Sequence, residues 1–207
     1  MENRNYITSV CTVKNGKVAV NQNAGFEDAA LSPVEFIRAA YKNYQLSYPK
    51  FYKMDDLCKL AFISSELLLK SNPLADYSKE EIAIVIANRA SSLEIDTEHQ
   101  RTISDRSHYF PSPAVFVYTL PNILVGEIAI RNHIKGENTF FIFDKFDAGF
   151  MSSYVNSLLN EGRAKCCITG WVDFYENNYE AILYTVEQKK GILSFENDKL
   201  QTEQLFK

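Results

Sequence analysis

The chain has 207 residues, 46% of them hydrophobic and 23% charged. That composition excludes a disordered or collagen-like polypeptide, and at this length enough surface can be buried to build a core without disulfides or metals. With 22 Lys and Arg against 26 Asp and Glu the formal charge is −4, which argues against nucleic acid or an anionic membrane surface as the main partner.

The first predicted element is a strand from Tyr6 to Val13. Lys14-Asn15-Gly16-Lys17 is a hairpin signal, because Asn-Gly suits a turn with positive φ at both central positions, and Val18 to Val20 is the return strand. Ser32-Pro33 opens a helix carrying Val34, Ile37, Ala40 and Tyr41 at helical spacing. A second helix starts at Asp55 and Asp56. It repeats Leu57, Leu60, Ala61, Ser64, Leu67 and Leu68 on one apolar face and stops at Ser71-Asn72-Pro73.

Glu81 to Asn88 is a short continuous apolar run, the kind buried on both faces of a parallel sheet. Ser92 to Ile103 is predicted helical, Tyr109 to Ser112 a Pro-broken loop, and Pro121 to His133 a helix. Gly136-Glu137-Asn138 turns the chain into Thr139 to Phe143, predicted as a second buried strand. A helix follows from Ala148 to Leu159, then Glu161-Gly162, a third buried strand from Ala164 to Thr169, and two further strands near Ala181 to Val186 and Gly191 to Phe195. Strand and helix alternate, so the expected fold class is α/β, a layered sheet flanked by helices in one domain over 1–207.

No apolar run is long enough to span a membrane, and no basic start followed by an apolar stretch marks a signal peptide. Cys11, Cys58, Cys166 and Cys167 read as reduced, buried thiols, which implies a cytoplasmic protein. No Gly-rich phosphate loop and no metal-spaced cluster occurs, so neither cofactor nor metal is expected. Asp55-Asp56 and Glu80-Glu81 read as helix-start and surface charges.

Several segments in this order resemble the N-terminal half of the β-ketoacyl synthases, which have the thiolase fold. Met54-Asp55-Asp56-Leu57 with Leu60-Ala61 is similar to the family's "M-D-x-x-x-x-L-A" helix, and Ile84 to Asn88 to its "V-G-V-x-x-G-T" strand. Ser112-Pro113-Ala114-Val115-Phe116 running into Thr119-Leu120-Pro121-Asn122 resembles "P-x-x-F…x-L-P-N". Glu127 to Thr139 looks like "I-x-x-x-x-G-x-x-G-P-N-T". Leu159 to Lys165 followed by Cys166-Cys167-Ile168-Thr169-Gly170 is similar to "I-x-x-G-x-A-D-x-x-x-x-G-G". The resemblance spans about residues 54–170, leaving 171–207 as added C-terminal strands.

The resemblance implies a thiol nucleophile in a stretch like "S-T-A-C-A-S-G" at a strand-to-helix turn, together with two histidines. The matching stretch is Ile142-Phe143-Asp144-Lys145-Phe146-Asp147-Ala148-Gly149. Counting from Gly136 places Lys145 at the nucleophile position, and counting back from Gly149 places Phe146 there. Lys145, between Asp144 and Asp147, reads as a paired amine. The family's histidines lie in the C-terminal half. His99, on an exposed helix face, His108, before the Tyr109 loop, and His133, a capping or solvated residue, match neither. Cys166 and Cys167 lie in a buried strand with no base in view.

In the family the strand before the nucleophile pairs antiparallel with its twin across a dimer, and the two halves stack their sheets. A half alone leaves one face without its neighbour, so either 172–207 or another chain is expected to cover it. Thr139, Phe140, Phe141, Ile142 and Phe143 are the expected interface strand, with the Ala148 helix and the Thr119–Asn122 loop nearby. Exposed, an uncharged apolar strand would aggregate. A position of this strand away from the sheet's centre would count against the resemblance.

The resemblance therefore implies a catalytically inactive, chain-length-factor-like subunit. It would form a heterodimer with a full-length ketosynthase, or otherwise a homodimer, and shape the partner's acyl tunnel. Short partners of this type are similar to those in aryl polyene or flexirubin-like pigment synthesis. Phe143, Phe146 and Phe150, with Phe140 and Phe141, are the candidates for the tunnel end. The acyl carrier protein, itself acidic, is engaged indirectly, through the partner. Two alternatives stay open: a self-associating α/β binding module of unrelated fold, and a thiol-dependent acyltransferase or hydrolase using Cys167 or Lys145.

Overall fold

The computed structural model describes residues 4–107, 109–189 and 191–195. His108 and everything after Phe195, including any strand there, lie outside the described residues. Strands β1 (Tyr6–Lys14), β2 (Lys17–Val20), β3 (Asn23–Glu27), β4 (Ile82–Asn88), β5 (Asn138–Ile142), β6 (Cys166–Tyr175), β7 (Asn178–Glu187) and β8 (Leu193–Ser194) form one mixed sheet. Helices α1 (Pro33–Asn43), α2 (Asp56–Ser71), α3 (Leu93–Ser104), α4 (Pro113–Phe116), α5 (Ile123–Asn132) and α6 (Ala148–Asn160) flank it. The strand order is β3-β2-β1-β7-β6-β4-β5, with β8 beside the start of β1. β4 runs parallel to β5 and β6, and the remaining pairs are antiparallel.

Local chemistry accounts for the helix starts. At α1 the Glu35 carboxylate accepts from the Ser32 backbone N–H at 3.0 Å, and Pro33 gives up only an amide that would be unpaired. At α2 the Asp55 carboxylate accepts from the Cys58 N–H at 3.0 Å. The sequence suggests one apolar face for α2, but the helix is buried nearly all round: every residue from Leu57 to Ser65 is inside. α1 and α5 enclose what the sheet leaves open. Ser64 and Ser65 survive there because their hydroxyls donate back to the carbonyls of Leu60 and Phe62, each at 2.9 Å.

The sheet divides two apolar clusters. One holds α1, α2 and α5 against Cys11, Ile84, Ile86, Ile168 and Leu183. The other holds α6, through Met151, Val155, Leu158 and Leu159, against Val85, Cys167, Trp171 and Tyr184. α6 turns Ser153 and Asn160 to solvent and leaves Asn156 and Ser157 half-buried. That outer stripe is polar, so this layer is compatible with water without a further layer on top.

Among the described residues the C-terminal segment chiefly extends the sheet, and only Leu193 and Phe195 pack onto the face on the α6 side. β6 runs six residues beyond Thr169, the predicted end. Gly170 sits inside it at φ +140°, with its Cα against the Ile182 carbonyl, where no side chain fits. β7 then inserts between β6 and β1, joining the first and last parts of the chain. Two further elements have no clear signal in the sequence: β3, and a 3₁₀ turn over Pro49–Lys53.

β5 departs most from expectation. It is not a buried inner strand but the edge of the chain's own sheet, with Asn138 and Ile142 exposed and the three residues between half-buried. The edge position runs against the central place expected of this strand, and the reason is geometric. A strand that pairs with a twin across a two-fold must be an edge in its own chain and becomes central only in the dimer. The Glu137 carbonyl accepts from Ile84 N–H at 2.8 Å, and Phe143 N–H donates to Asn88 O at 3.0 Å. Strand alternation therefore turns the N–H and C=O groups of Asn138, Phe140 and Ile142 to the open edge.

Candidate functional site

Beyond the C-terminal ends of β4 and β6 lies an open groove of about 860 Å³, where ligands of parallel α/β sheets ordinarily bind. Lys14, Arg89 and Lys145 face Asp144, Asp173 and Glu180 across it. Arg89 approaches Asp173 at 3.6 Å and Lys14 approaches Glu180 at 3.6 Å. Asp173 also accepts from the backbone N–H groups of Arg89 and Ala90, at 3.1 and 2.9 Å, fixing the turn after β4.

Both candidates for the nucleophile position, Lys145 and Phe146, line this groove. Lys145 is exposed and makes no ion pair among the described residues, which corrects the pairing read from Asp144 and Asp147. Asp147 is instead the α6 cap, accepting from Phe150 N–H at 3.0 Å. Phe146 stands edge-on to Trp171 with ring centres 6.1 Å apart.

The four thiols are fully buried. Burial pushes Cys11 up to about 12 and holds Cys58, Cys166 and Cys167 well above the ordinary thiol range. Iodoacetamide at neutral pH is expected to leave the native protein unmodified and to label all four sites in urea. Mass spectrometry reads the difference, and rapid native labelling of Cys167 would contradict it.

The aromatic residues do not act as one group. Phe141, Phe143, Phe150 and Tyr154 form a cluster on the α6 side, with centroid distances from 4.9 to 6.2 Å. Phe140 points through the sheet to the α5 side and Phe146 turns into the groove. The period of two along β5 makes this division.

Several large apolar side chains are exposed at β5, at α6 and in the segment before α5. Ile142 is 52% and Phe150 41% exposed, and the segment leading to α5 exposes Phe110, Phe116, Val117 and Leu120. Pro121, Asn122, Val125 and Gly126 form a depression with Phe140 and Ile142 beside the open edge.

Of the charges read as superficial, Asp55 is half-buried at the α2 cap, and burial pushes its carboxyl up to about 6. His99 is not on an exposed face; it is half-buried, its ring centre 5.4 Å from that of Phe116. His133 is exposed and ends α5 in the left-handed conformation, φ 58°. Sequence reasoning missed Glu127, a buried carboxylate whose Oε1 takes Lys50 Nζ at 2.7 Å and Tyr118 OH at 3.3 Å. No local signal marks it, since Lys50 comes from a distant turn. Among the described residues no cluster is placed to hold a metal, and no single helix is long and apolar enough to cross a membrane.

The layered mixed sheet and its flanking helices are the thiolase-like fold of the ketosynthases. The solved structures that match include ketosynthase/chain-length-factor assemblies. The ishigamide ketosynthase/chain length factor has TM-score 0.68 at 20% identity, over 89% of this chain and 62% of that one. The ketosynthase ApeO in complex with its chain length factor ApeC, from Xenorhabdus doucetiae, has TM-score 0.61 at 16% identity, over 91% and 80%. AntDE:AntF, a type II polyketide synthase acyl-carrier protein in complex with its ketosynthase, has TM-score 0.62 at 11% identity, over 89% and 62%. This chain thus spans less than two thirds of the length of the first and third of these. No protein-family model and no curated protein matches the sequence.

Proposed function

We propose that this protein is a non-condensing subunit that pairs with an active ketosynthase through β5 and shapes its acyl tunnel. The observation that carries the proposal is the open β5 edge: an uncharged apolar strand, unpaired on one side and bordered by exposed Ile142 and Phe150. Such an edge is an aggregation hazard unless a partner strand covers it. The ketosynthase/chain-length-factor structures of the same fold supply the kind of partner. Without a ketosynthase, the same edge joins two copies of this chain.

The non-condensing assignment rests on the residues at the nucleophile position and on the sulfurs. Counting along the sequence puts Lys145 or Phe146, neither a thiol, at the nucleophile position the resemblance implies, and every cysteine is sealed in the core. The thiol-dependent alternative has no accessible sulfur to support it. Phe143 and Phe150, from the cluster beside the edge, and Phe146, from the groove, are proposed to set how far an acyl chain extends from the partner. The product class proposed is an aryl polyene or flexirubin-like pigment, the acyl carrier protein docking on the ketosynthase. The setting proposed is the cytoplasm.

The test is co-expression of the tagged chain with the ketosynthases encoded in the same genome. One of them is expected to co-purify in a one-to-one complex and to condense acyl thioesters only within it. Separate elution of every pair at micromolar concentration would overturn the pairing. Condensation by the chain alone would overturn the non-condensing assignment.

A further inference from the structure

α5 carries a glycine that its own chain does not require. Gly126 is inside the helix, without the positive φ that favours glycine, and apart from its chain neighbours and its own helical backbone no atom lies within 4 Å of where its Cβ would stand. Glycine weakens a helix interior relative to alanine. Close packing inside the chain, the usual compensation, is absent here.

What adjoins Gly126 is the depression beside β5, of about 600 Å³. Its lining sets Pro121, Val125, Phe140 and Ile142 beside the uncharged Asn122, Asn138 and Thr139, and no ionisable side chain contributes. The occupant it suits is therefore uncharged, with an apolar body against Val125, Phe140 and Ile142. Its position is set by the strand. A strand added to the open edge would lie about 4.8 Å from β5 and stand its same-face side chains about 5 Å beyond Phe140 and Ile142, over the depression.

We propose that this depression is a socket, with Gly126 as its floor, for a bulky aliphatic or aromatic side chain on the β5-pairing strand of the ketosynthase-fold partner. The inference rests on the pairing reading above and specifies where its binding energy is concentrated, since interface anchors are large apolar side chains held in water-excluded pockets. The glycine leaves room for the partner's side chain to reach the helix backbone.

The experiment uses the ketosynthase that co-purifies with the wild-type chain. Gly126→Phe and Gly126→Leu fill the socket from within, and Gly126→Ala adds one methyl group. Pairing is measured by titration calorimetry and folding by the thermal melt of each free chain. The free Gly126→Ala chain is expected to melt above wild type and still pair. The Phe and Leu variants are expected to fold but bind at least about thirtyfold more weakly, the loss typical of a blocked anchor. Wild-type affinity in folded Phe and Leu variants would overturn the socket and leave the pairing intact. Absence of any ketosynthase partner for the wild-type chain would overturn both.

Discussion

Ile142→Lys is expected to abolish partner binding while leaving the fold in place. Ile142 closes β5, is 52% exposed and has its N–H and C=O on the open edge. In the free chain a lysine there keeps its ammonium in water, so stability should change by no more than about 0.5 kcal/mol. In the proposed complex the same position would lie under a paired strand, and an unpaired ammonium would be stripped of water at a cost of about 3 kcal/mol or more. The affinity should fall at least about a hundredfold, which sedimentation or calorimetry measures. Ile142→Pro gives an independent reading. Its N–H faces outward, so proline removes no bond to β4 and the free chain tolerates it, as edge strands do. Pairing loses a ladder bond. A lysine variant that retains full affinity would place the interface elsewhere.

Glu187→Ala is expected to destabilise the protein by about 3 kcal/mol, the scale for emptying a buried polar network. Glu187 ends β7 with no solvent exposure. It accepts from Asn72 Nδ2 at 2.6 Å, Tyr77 OH at 2.7 Å and Thr8 Oγ1, and it pairs with Lys189 Nζ at 2.8 Å. These groups tie the end of α2 to β1 and β7. Burial by itself raises the carboxyl, but the Lys189, Thr8, Tyr77 and Asn72 donors outweigh it and hold it below its ordinary value of 4.5. The folded state therefore binds the proton more weakly than the unfolded chain. The carboxylate's contribution is present above pH 4.5 and is lost as pH falls through the folded value. Urea titrations from neutral to acid pH should show that loss in the wild type and a flatter dependence in Glu187→Gln. Equal slopes in the two proteins would remove the network from the account of acid stability.

The two most apolar strand runs show how far local signals reach. Ile82–Asn88 and Thr139–Phe143 look alike as sequence, since both are short, apolar and β-rich. The first is fully buried between β6 and β5, and the second is the edge. Composition reports that a strand will be covered, but it does not say whether the cover belongs to the same chain. Likewise, the aromatic run around Phe140 to Phe150 marks an apolar region, while the pleat decides which rings share a face. At the groove, Lys145 and Phe146 were legible by counting from Gly136 and Gly149; their neighbours Arg89, Trp171 and Asp173 arrive from other strands.

The alternation of the main strands and helices, the α1 start at Ser32-Pro33, the α2 start at Asp55 and the burial of the cysteines are properties of spacing and residue type, and the sequence by itself determined them. The rank of each strand in the sheet, the all-round burial of α2, the partners of Glu127 and Glu187 and the depression beside Gly126 were decided only by tertiary structure. The physical reason is range. Caps and helical periods act within a few residues, whereas Cys11 meets Leu183 across most of the chain, and residues that far apart leave no mark on each other's neighbours in sequence.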